Sequence, residues 1–169
     1  MNKQVEGSAF RAQLILPEQR QLYDYWLHIA AGRKMPTRAD INPTAIPRIL
    51  PSLSLIDVNS DIEKCRVRLA GTRLREIYDR EITGQEIDAL DWGDKRDYWM
   101  ASYRRAIESG LPIQGVLKAP RNHKEHLVQY WLKLPLACQA DSSVSMLLCY
   151  DSFIPASERL EAHLLLASA

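Results

Sequence analysis

The short spacing between β-prone segments constrains the fold of this chain more than any other feature of its sequence. Polar turns, such as Asn59-Ser60-Asp61 and the stretch at residues 121–124, leave room only for hairpins between neighbouring segments. A parallel pair of strands needs a crossover of roughly a dozen residues or more, usually a helix. The sequence therefore predicts an antiparallel sheet and argues against a doubly wound parallel fold.

Five segments have the composition of strands, two before a helical middle and three after it. They lie at residues 53–58, 65–70, 113–118, 127–136 and 144–153. In the middle, we expect Thr72 to cap a short helix and Asp94 to cap a longer one that ends before Gly110. Alternation in the second strand places Val67 and Leu69 on one face. The predicted class is α+β, a five-stranded antiparallel sheet with a helical middle segment and flanking helices at both ends.

The sequence outside the sheet divides into recognisable segments. The predicted organisation is a lead-in at residues 1–16, a helix and proline-rich connector at 17–51, a core at 52–154 and a C-terminal helix at 155–169. Pro17 suits the first turn of the N-terminal helix, and Gly32 stands where a left-handed residue would stop it. Asn42 before a proline predicts a single capped turn, and Ser157 is the expected cap of the last helix. The lead-in has no clear period, so we expect it to be mobile or loosely attached.

Both faces of the predicted sheet carry apolar side chains. On residues 127–136 one face is wholly apolar, while the other mixes Gln129, Trp131 and Lys133. A sheet with one solvated face would alternate more cleanly, so we expect both faces to be covered. The middle helices can cover one face, and the helix at 17–31 can cover the other, in its own subunit or in a partner. We therefore predict a homodimer with these interface candidates: Leu22, Tyr25, Trp26, Ile29 and Trp131.

The order of two strands, a helical middle and three strands resembles the PAS domain family. In particular, the chain is similar to short stand-alone bacterial PAS-like proteins. The matching stretches are YDYWLHIAAGRKMPTRADINP at 23–43, IPRILPSLSLIDV at 46–58, RVRLAGTRLREIYDREITGQEID at 66–88 and YDSF at 150–153. The resemblance implies a sensory or regulatory domain that signals through protein contacts, with no ligand specified.

Several classes of function are disfavoured by composition. A net charge of +1 offers no basic excess for nucleic acid, and no segment is long and apolar enough to cross a membrane. The chain lacks a signal-peptide pattern, and its three cysteines form no C-x-x-C pair, so we expect reduced thiols and a cytoplasmic location. The G-x-S-x-G, P-loop and G-x-G-x-x-G motifs are missing, and we predict no enzymatic activity.

The cofactors common in PAS domains also lack their usual residues here. Haem-binding members commonly place an axial histidine on the helix that corresponds to residues 94–109, and none of the four histidines lies there. Light-sensing members place a reactive cysteine in an Asn-Cys-Arg context on a helix, whereas Cys65 follows Lys64 at the start of a strand. No set of ligands with metal spacing is present. The cofactor is therefore unknown, and haem and flavin are disfavoured.

A small apolar or acidic ligand between the sheet and the middle helices is the leading expectation. The candidate contacts are Arg68, Arg73, Tyr78, Trp99, Tyr103 and Tyr130. An arginine fork suits an acidic group, and a buried tyrosine hydroxyl needs a partner, although a solvated face and core packing are the plainer roles. Two alternatives stay open: a small α+β enzyme with a cone-shaped active-site cavity, and a ligand-free interaction scaffold.

Overall fold

Five antiparallel strands form one sheet in the order β2-β1-β5-β4-β3. The computed structural model describes residues 3–119, 124, 126–139 and 143–158, with side chains from residue 7 onward. The helices are α1 (Lys3–Gln13), α2 (Pro17–Ala30), α3 (Thr72–Tyr78) and α4 (Arg96–Ser109). The strands are β1 (Leu53–Asp57), β2 (Arg66–Ala70), β3 (Ile113–Lys118), β4 (Leu127–Ala137) and β5 (Val144–Pro155). The predicted α+β class and antiparallel sheet are confirmed.

The long β4–β5 pair is the centre of the sheet, and β1 lies against the other side of β5. Cross-strand partners bring the inward side chains of three strands into rows, such as Ser54, Cys149 and Lys133. Because side chains alternate along a strand, the next row, with Leu55, Leu148 and Leu134, faces the opposite side. Each face of the sheet carries its own buried apolar cluster.

A bulge in β2 changes one predicted face. Leu55 pairs with Leu69 and Ile56 pairs with Val67, so Arg68 is an extra residue in β2. As a result Val67 is buried, while Leu69 is 54% exposed. The prediction that the two share a face is wrong, because simple alternation does not survive an inserted residue.

The segment that follows α3 runs along the outer side of β2. Its backbone forms hydrogen bonds from Val67 to Gln85, from Gly84 to Val67 and from Ile87 to Cys65, with N–O distances of 2.6–2.9 Å. Gly84 has a φ of 86°, a conformation that glycine adopts without steric cost.

Two predicted helix caps differ in the structure. The cap of α3 is Gly71, and Thr72 is already its first helical residue. Gly71 donates its N–H to the Leu53 carbonyl at 2.7 Å, and its Cα lies so close to Pro51 that a Cβ would be 2.2 Å from the Pro51 oxygen. Asp94 lies inside a 3₁₀ turn, Gly93–Lys95, and caps nothing, because α4 begins after that turn at Arg96.

The region before the sheet is more ordered than expected. Residues 3–13 form α1, where a mobile or loosely attached lead-in was predicted. Tertiary contacts account for it: the Phe10 ring packs 5.0 Å from the Tyr23 ring, and Arg11 forms two 2.8 Å hydrogen bonds with Asp24. In the connector, the Asn42 side chain accepts a hydrogen bond from the Thr44 N–H, which confirms the predicted capped turn. The predicted C-terminal helix lies outside the described residues beyond residue 158, as do the turns at 121–123 and 140–142.

Helix α2 covers the wholly apolar face of the sheet within its own chain. Leu22 and Trp26 are buried there, and the Trp26 indole N–H donates to the Pro135 carbonyl at 2.9 Å. On the same helix, the buried Gln19 amide donates to the Trp131 carbonyl at 3.2 Å. Three of the predicted interface residues, Leu22, Trp26 and Trp131, are therefore core residues of the single chain. In the described residues, no helix is long and apolar enough to span a membrane.

Candidate ligand site

Polar side chains occupy the inner face of the sheet, under the middle helices. Gln129, Lys133 and Ser54 are each at most 4% exposed, and Asp151 extends from β5 beside them. Burying a polar or charged group without a partner costs several kcal/mol, roughly 2–7 for a neutral group and more for a charge. A core of this small size would be more stable with apolar residues at these positions, so the polar row is a candidate functional feature.

The ammonium group of Lys133 lies in a cage of aromatic rings. Its Nζ is 4.1 Å from the Trp131 ring centroid, 4.4 Å from that of Tyr103 and 4.5 Å from that of Trp99. Cation–π attraction at these distances offsets part of the loss of hydration. Burial lowers the pKa of Lys133, while the neighbouring Cys149 and Asp151 favour its charged form.

Asp151 and Gln129 form a hydrogen-bonded pair beside this cage. The Gln129 amide nitrogen donates to the Asp151 carboxylate at 2.8 Å. Burial raises the pKa of Asp151, and both the Lys133 ammonium and the Gln129 amide oppose that rise. Burial also raises the pKa of the Cys149 thiol to about 12, so this thiol is protonated near neutral pH.

A cavity of about 20 Å³ lies between this polar row and the helices. Its polar lining includes Ser54, Tyr78, Tyr103, Gln129 and Asp151, and its aromatic lining includes Trp92 and Trp99. Two of these lining residues each have a buried polar atom without a hydrogen-bond partner among the described residues: the indole Nε1 of Trp99 and the amide Oε1 of Gln129. The cavity has room for about one water molecule. Two residues of its lining thus carry a donor and an acceptor that no described residue engages.

A larger groove of about 410 Å³ lies outside the cavity, between α3 and β5. Helix α3 contributes Arg73, Glu76 and Ile77, and β5 contributes residues 151–154. Asp151 lines both the groove and the inner cavity. Asp151, which accepts a hydrogen bond from Gln129, is thus a wall residue common to the inner cavity and the outer groove.

The structure brings half of the predicted ligand contacts to the cavity. Tyr78, Trp99 and Tyr103 line it. Arg73 lies outside, where it donates to the Ser52 hydroxyl at 3.3 Å and borders the outer groove.

The other two candidates are elsewhere. Arg68 projects from the bulge of β2 and pairs with Asp57 at 3.3 Å, with 61% of its side chain exposed. Tyr130 lies on the opposite face, with Leu132, because adjacent strand residues alternate. Gln129, Lys133 and Asp151 were not among the predicted contacts, although the even spacing of four residues between Gln129 and Lys133 placed both on one face of β4.

Comparison with known proteins identifies the fold and its relatives. The family model described as a PAS domain matches residues 15–150. Among solved structures, the Rhodobacter sphaeroides LOV protein is similar at 21% identity and a TM-score of 0.50, covering 65% of this chain and 62% of that one. This chain therefore spans less than two thirds of that protein. A light-oxygen-voltage domain from a flavin-analogue study is similar at 13% identity and a TM-score of 0.53, covering 74% of this chain and 90% of that one.

A third similar structure is the light state of the blue-light photoreceptor Aureochrome1 LOV. It shares 13% identity at a TM-score of 0.50, covering 74% of this chain and 95% of that one. At these identities the likeness shows a shared fold alone. No curated protein sequence matches the chain.

The residues present do not fit a flavin, the type of group that is named together with one of these light-oxygen-voltage domains. Trp92, Trp99 and Trp131 fill the space between the sheet and the helices, and the remaining 20 Å³ is far smaller than a three-ring system. Cys65 directly precedes β2 and Cys149 lies in β5, and both are buried. The pocket in this conformation is thus suited to a much smaller group.

Proposed function

The chain belongs to the PAS domain family, and from that premise we propose that it is a sensory module that binds a small ligand beneath its middle helices. Domains of this fold are generally sensors that transmit signals, and the family gives neither a ligand nor a partner for this chain. The output of the proposed module is a changed surface for protein–protein contact. Its three cysteines form no disulfide with one another, which is consistent with the proposed cytoplasmic setting.

One observation carries the proposal. The Trp99 indole N–H and the Gln129 amide oxygen are buried, no described residue pairs with them, and both belong to residues that line one cavity. Leaving a buried donor or acceptor unsatisfied costs about 1–3 kcal/mol each. A guest that satisfies both recovers that free energy, so the apo cavity favours occupation.

A ligand-free scaffold is the second candidate, and the volume of the cavity favours it. About 20 Å³ holds one water molecule, which could satisfy both groups permanently. In that case the domain would bind a protein partner without sensing a small molecule. A cone-shaped enzyme has less support, because the Asp151 carboxylate is already engaged by Gln129 and the cavity has no room for a substrate beside it.

The two candidates differ in a direct measurement. We expect purified protein to release a small molecule on denaturation, seen as a difference between native and denatured intact mass. A library of small polar and amphipathic compounds should also contain members that shift the indole N–H resonance of Trp99, assigned with Trp99→Phe. No released mass and no compound that shifts this resonance would leave the scaffold as the function.

We also propose that the domain acts as a homodimer with a signalling protein as partner. Leu22, Trp26 and Trp131 are covered within the chain, so the interface proposal now rests on Tyr25 and Ile29, which stay partly exposed on α2.

A further inference from the structure

We propose that the ligand is a long-chain alcohol or a similar amphiphile, with its hydroxyl in the inner cavity and its apolar chain in the groove between α3 and β5. This inference rests on the proposed function, because it names the ligand class of the same site. It combines two spaces that share one wall residue, Asp151.

The cavity determines the head group. A hydroxyl both accepts and donates a hydrogen bond, so it matches in kind the two unsatisfied groups, the Trp99 indole N–H donor and the Gln129 amide oxygen acceptor. Its size matches a cavity that holds about one water molecule.

Charged heads fit less well. A charged head would meet both the Asp151 carboxyl group in the lining and the Lys133 ammonium, which lies 4.5 Å from the centroid of the Trp99 ring, so attraction to one group is offset by repulsion from the other. The loss of hydration then remains, and it costs far more for a charge than for a neutral group. The head group is therefore neutral.

The outer groove determines the body of the ligand. Ile77, Phe153 and Ile154 supply apolar lining along a space of about 410 Å³, while Arg73 and Glu76 project from α3 at its border. A methylene group buried in such a groove gains roughly 0.8 kcal/mol, which converts to about fourfold in affinity per CH₂. An unbranched chain can follow β5 as far as Asp151, the residue that the groove shares with the cavity.

Helix α3 gives this arrangement a means of signalling. Leu74 and Tyr78 line the inner cavity, whereas Glu76 and Ile77 border the groove. A single helix is thus the wall of both spaces, and an occupant that spans them must displace either α3 or the Asp151–Gln129 pair.

A chain-length series of primary alcohols tests the proposal. Binding of 1-butanol, 1-hexanol, 1-octanol and 1-decanol to the full chain is measured by titration calorimetry and by the Trp99 indole resonance. We expect affinity to rise about fourfold per CH₂. Octyl methyl ether, which accepts but cannot donate, should bind roughly fivefold to tenfold more weakly than a chain-matched alcohol, since it cannot pair with Gln129.

Protein variants separate the two halves of the site. Trp99→Phe should weaken 1-octanol binding about tenfold but keep the chain-length dependence. Ile77→Glu should remove the chain-length dependence, while Leu69→Glu, on the exposed side of β2, should change neither. Urea midpoints verify that each variant folds. If a variant does not fold, the comparison of alcohol with ether on the wild-type protein still tests the placement of the hydroxyl.

Each failure has a distinct meaning. If an alcohol and its chain-matched ether bind with equal affinity, and neither shifts the Trp99 indole resonance, the placement of the hydroxyl is wrong. A different compound class that shifts this resonance while alcohols do not would overturn this inference and keep the proposed function. No ligand of any class would overturn both.

Discussion

Lys133 places a cation where a globular core ordinarily excludes one. It is 2% exposed, and three aromatic rings rather than water surround its ammonium group. A buried ammonium stays charged only to the extent that neighbouring groups stabilise it, and the Asp151 carboxylate and the three rings do so here. The electrostatics of the cavity therefore depend on one lysine that no ligand needs to touch.

The lowered pKa of Lys133 makes a prediction about stability and pH. Its pKa falls below the ordinary 10.5 on folding, so between these values the unfolded chain binds more protons than the folded chain. The free energy of unfolding should then rise with pH through this window, by at most about 1.4 kcal/mol per pH unit, and level off above the unfolded value.

Lys133→Met removes this contribution. We expect urea unfolding from pH 7 to pH 10 to show that the free energy of unfolding of the wild type rises relative to that of the variant as the pH rises. A difference that is constant across this range would mean that Lys133 titrates alike in the folded and unfolded chains.

At the scale of elements, α3 is a short helix held at both ends. Seven residues are too few for a stable helix in water, so its position depends on tertiary contacts. Gly71 holds its first turn against Leu50 and Pro51, and the Lys124 ammonium bonds to the Glu76 and Ile77 carbonyls at 2.9 and 2.8 Å. A wall of the candidate site is thus fixed by two contacts outside the site.

Gly71→Ala should disturb this wall. The added Cβ would lie 2.2 Å from the Pro51 oxygen and 2.6 Å from the Leu50 oxygen, and backbone atoms cannot rotate away. We expect a loss of about 1–3 kcal/mol in the free energy of unfolding, measured by urea denaturation. Gly7→Ala is the matched control, since its Cβ meets only the Tyr23 hydroxyl at 3.5 Å. It should stabilise α1 by about 0.5–1 kcal/mol. Equal effects of the two substitutions would contradict the close packing at Gly71.

Sequence patterns predicted those elements whose signals are local. Strand alternation, the turn at Asn59 and the stop at Gly110 required only neighbouring residues, and they fixed the antiparallel sheet. The bulge at Arg68, the cap at Gly71 and helix α1 depend on partners distant in the chain, so periodicity does not reveal them. For the site, alternation placed Lys133 on the mixed face but could not predict its distances to the aromatic rings. Tyr130 was chosen as a ligand contact because it is aromatic, and its position on the opposite face of the sheet excludes that role.

At the scale of the whole molecule, α2 completes the core of a single chain. It closes the apolar face of the sheet through Leu22 and Trp26, so a second copy is not required to bury that face. Association between copies would have to use the outward side of the helix, where Tyr25 and Ile29 are partly exposed. The proposed homodimer is therefore an optional state of a domain that already has two complete cores.

Ile29→Lys tests that surface. If α2 mediates dimerisation, the variant should sediment with half the wild-type mass in analytical ultracentrifugation, because a lysine at a closed apolar interface is left without water. Its urea midpoint should stay close to that of the wild type, since Ile29 is not fully buried. Leu69→Lys, on the exposed side of β2, is the control. A wild-type protein that sediments as a monomer at all concentrations would contradict the dimer.

The segment along the outer side of β2 has a consequence for solubility. Strands at the border of a sheet expose unpaired peptide groups that can template growth into fibrils. Here Gly84, Gln85 and Ile87 already bind the peptide groups of Cys65 and Val67, and Arg66 forms an ion pair with Glu86 at 2.7 Å. A foreign strand would have to displace these bonds before it could add to this flank. The irregular stretch after α3 thus protects the sheet from aggregation at the border nearest the candidate site.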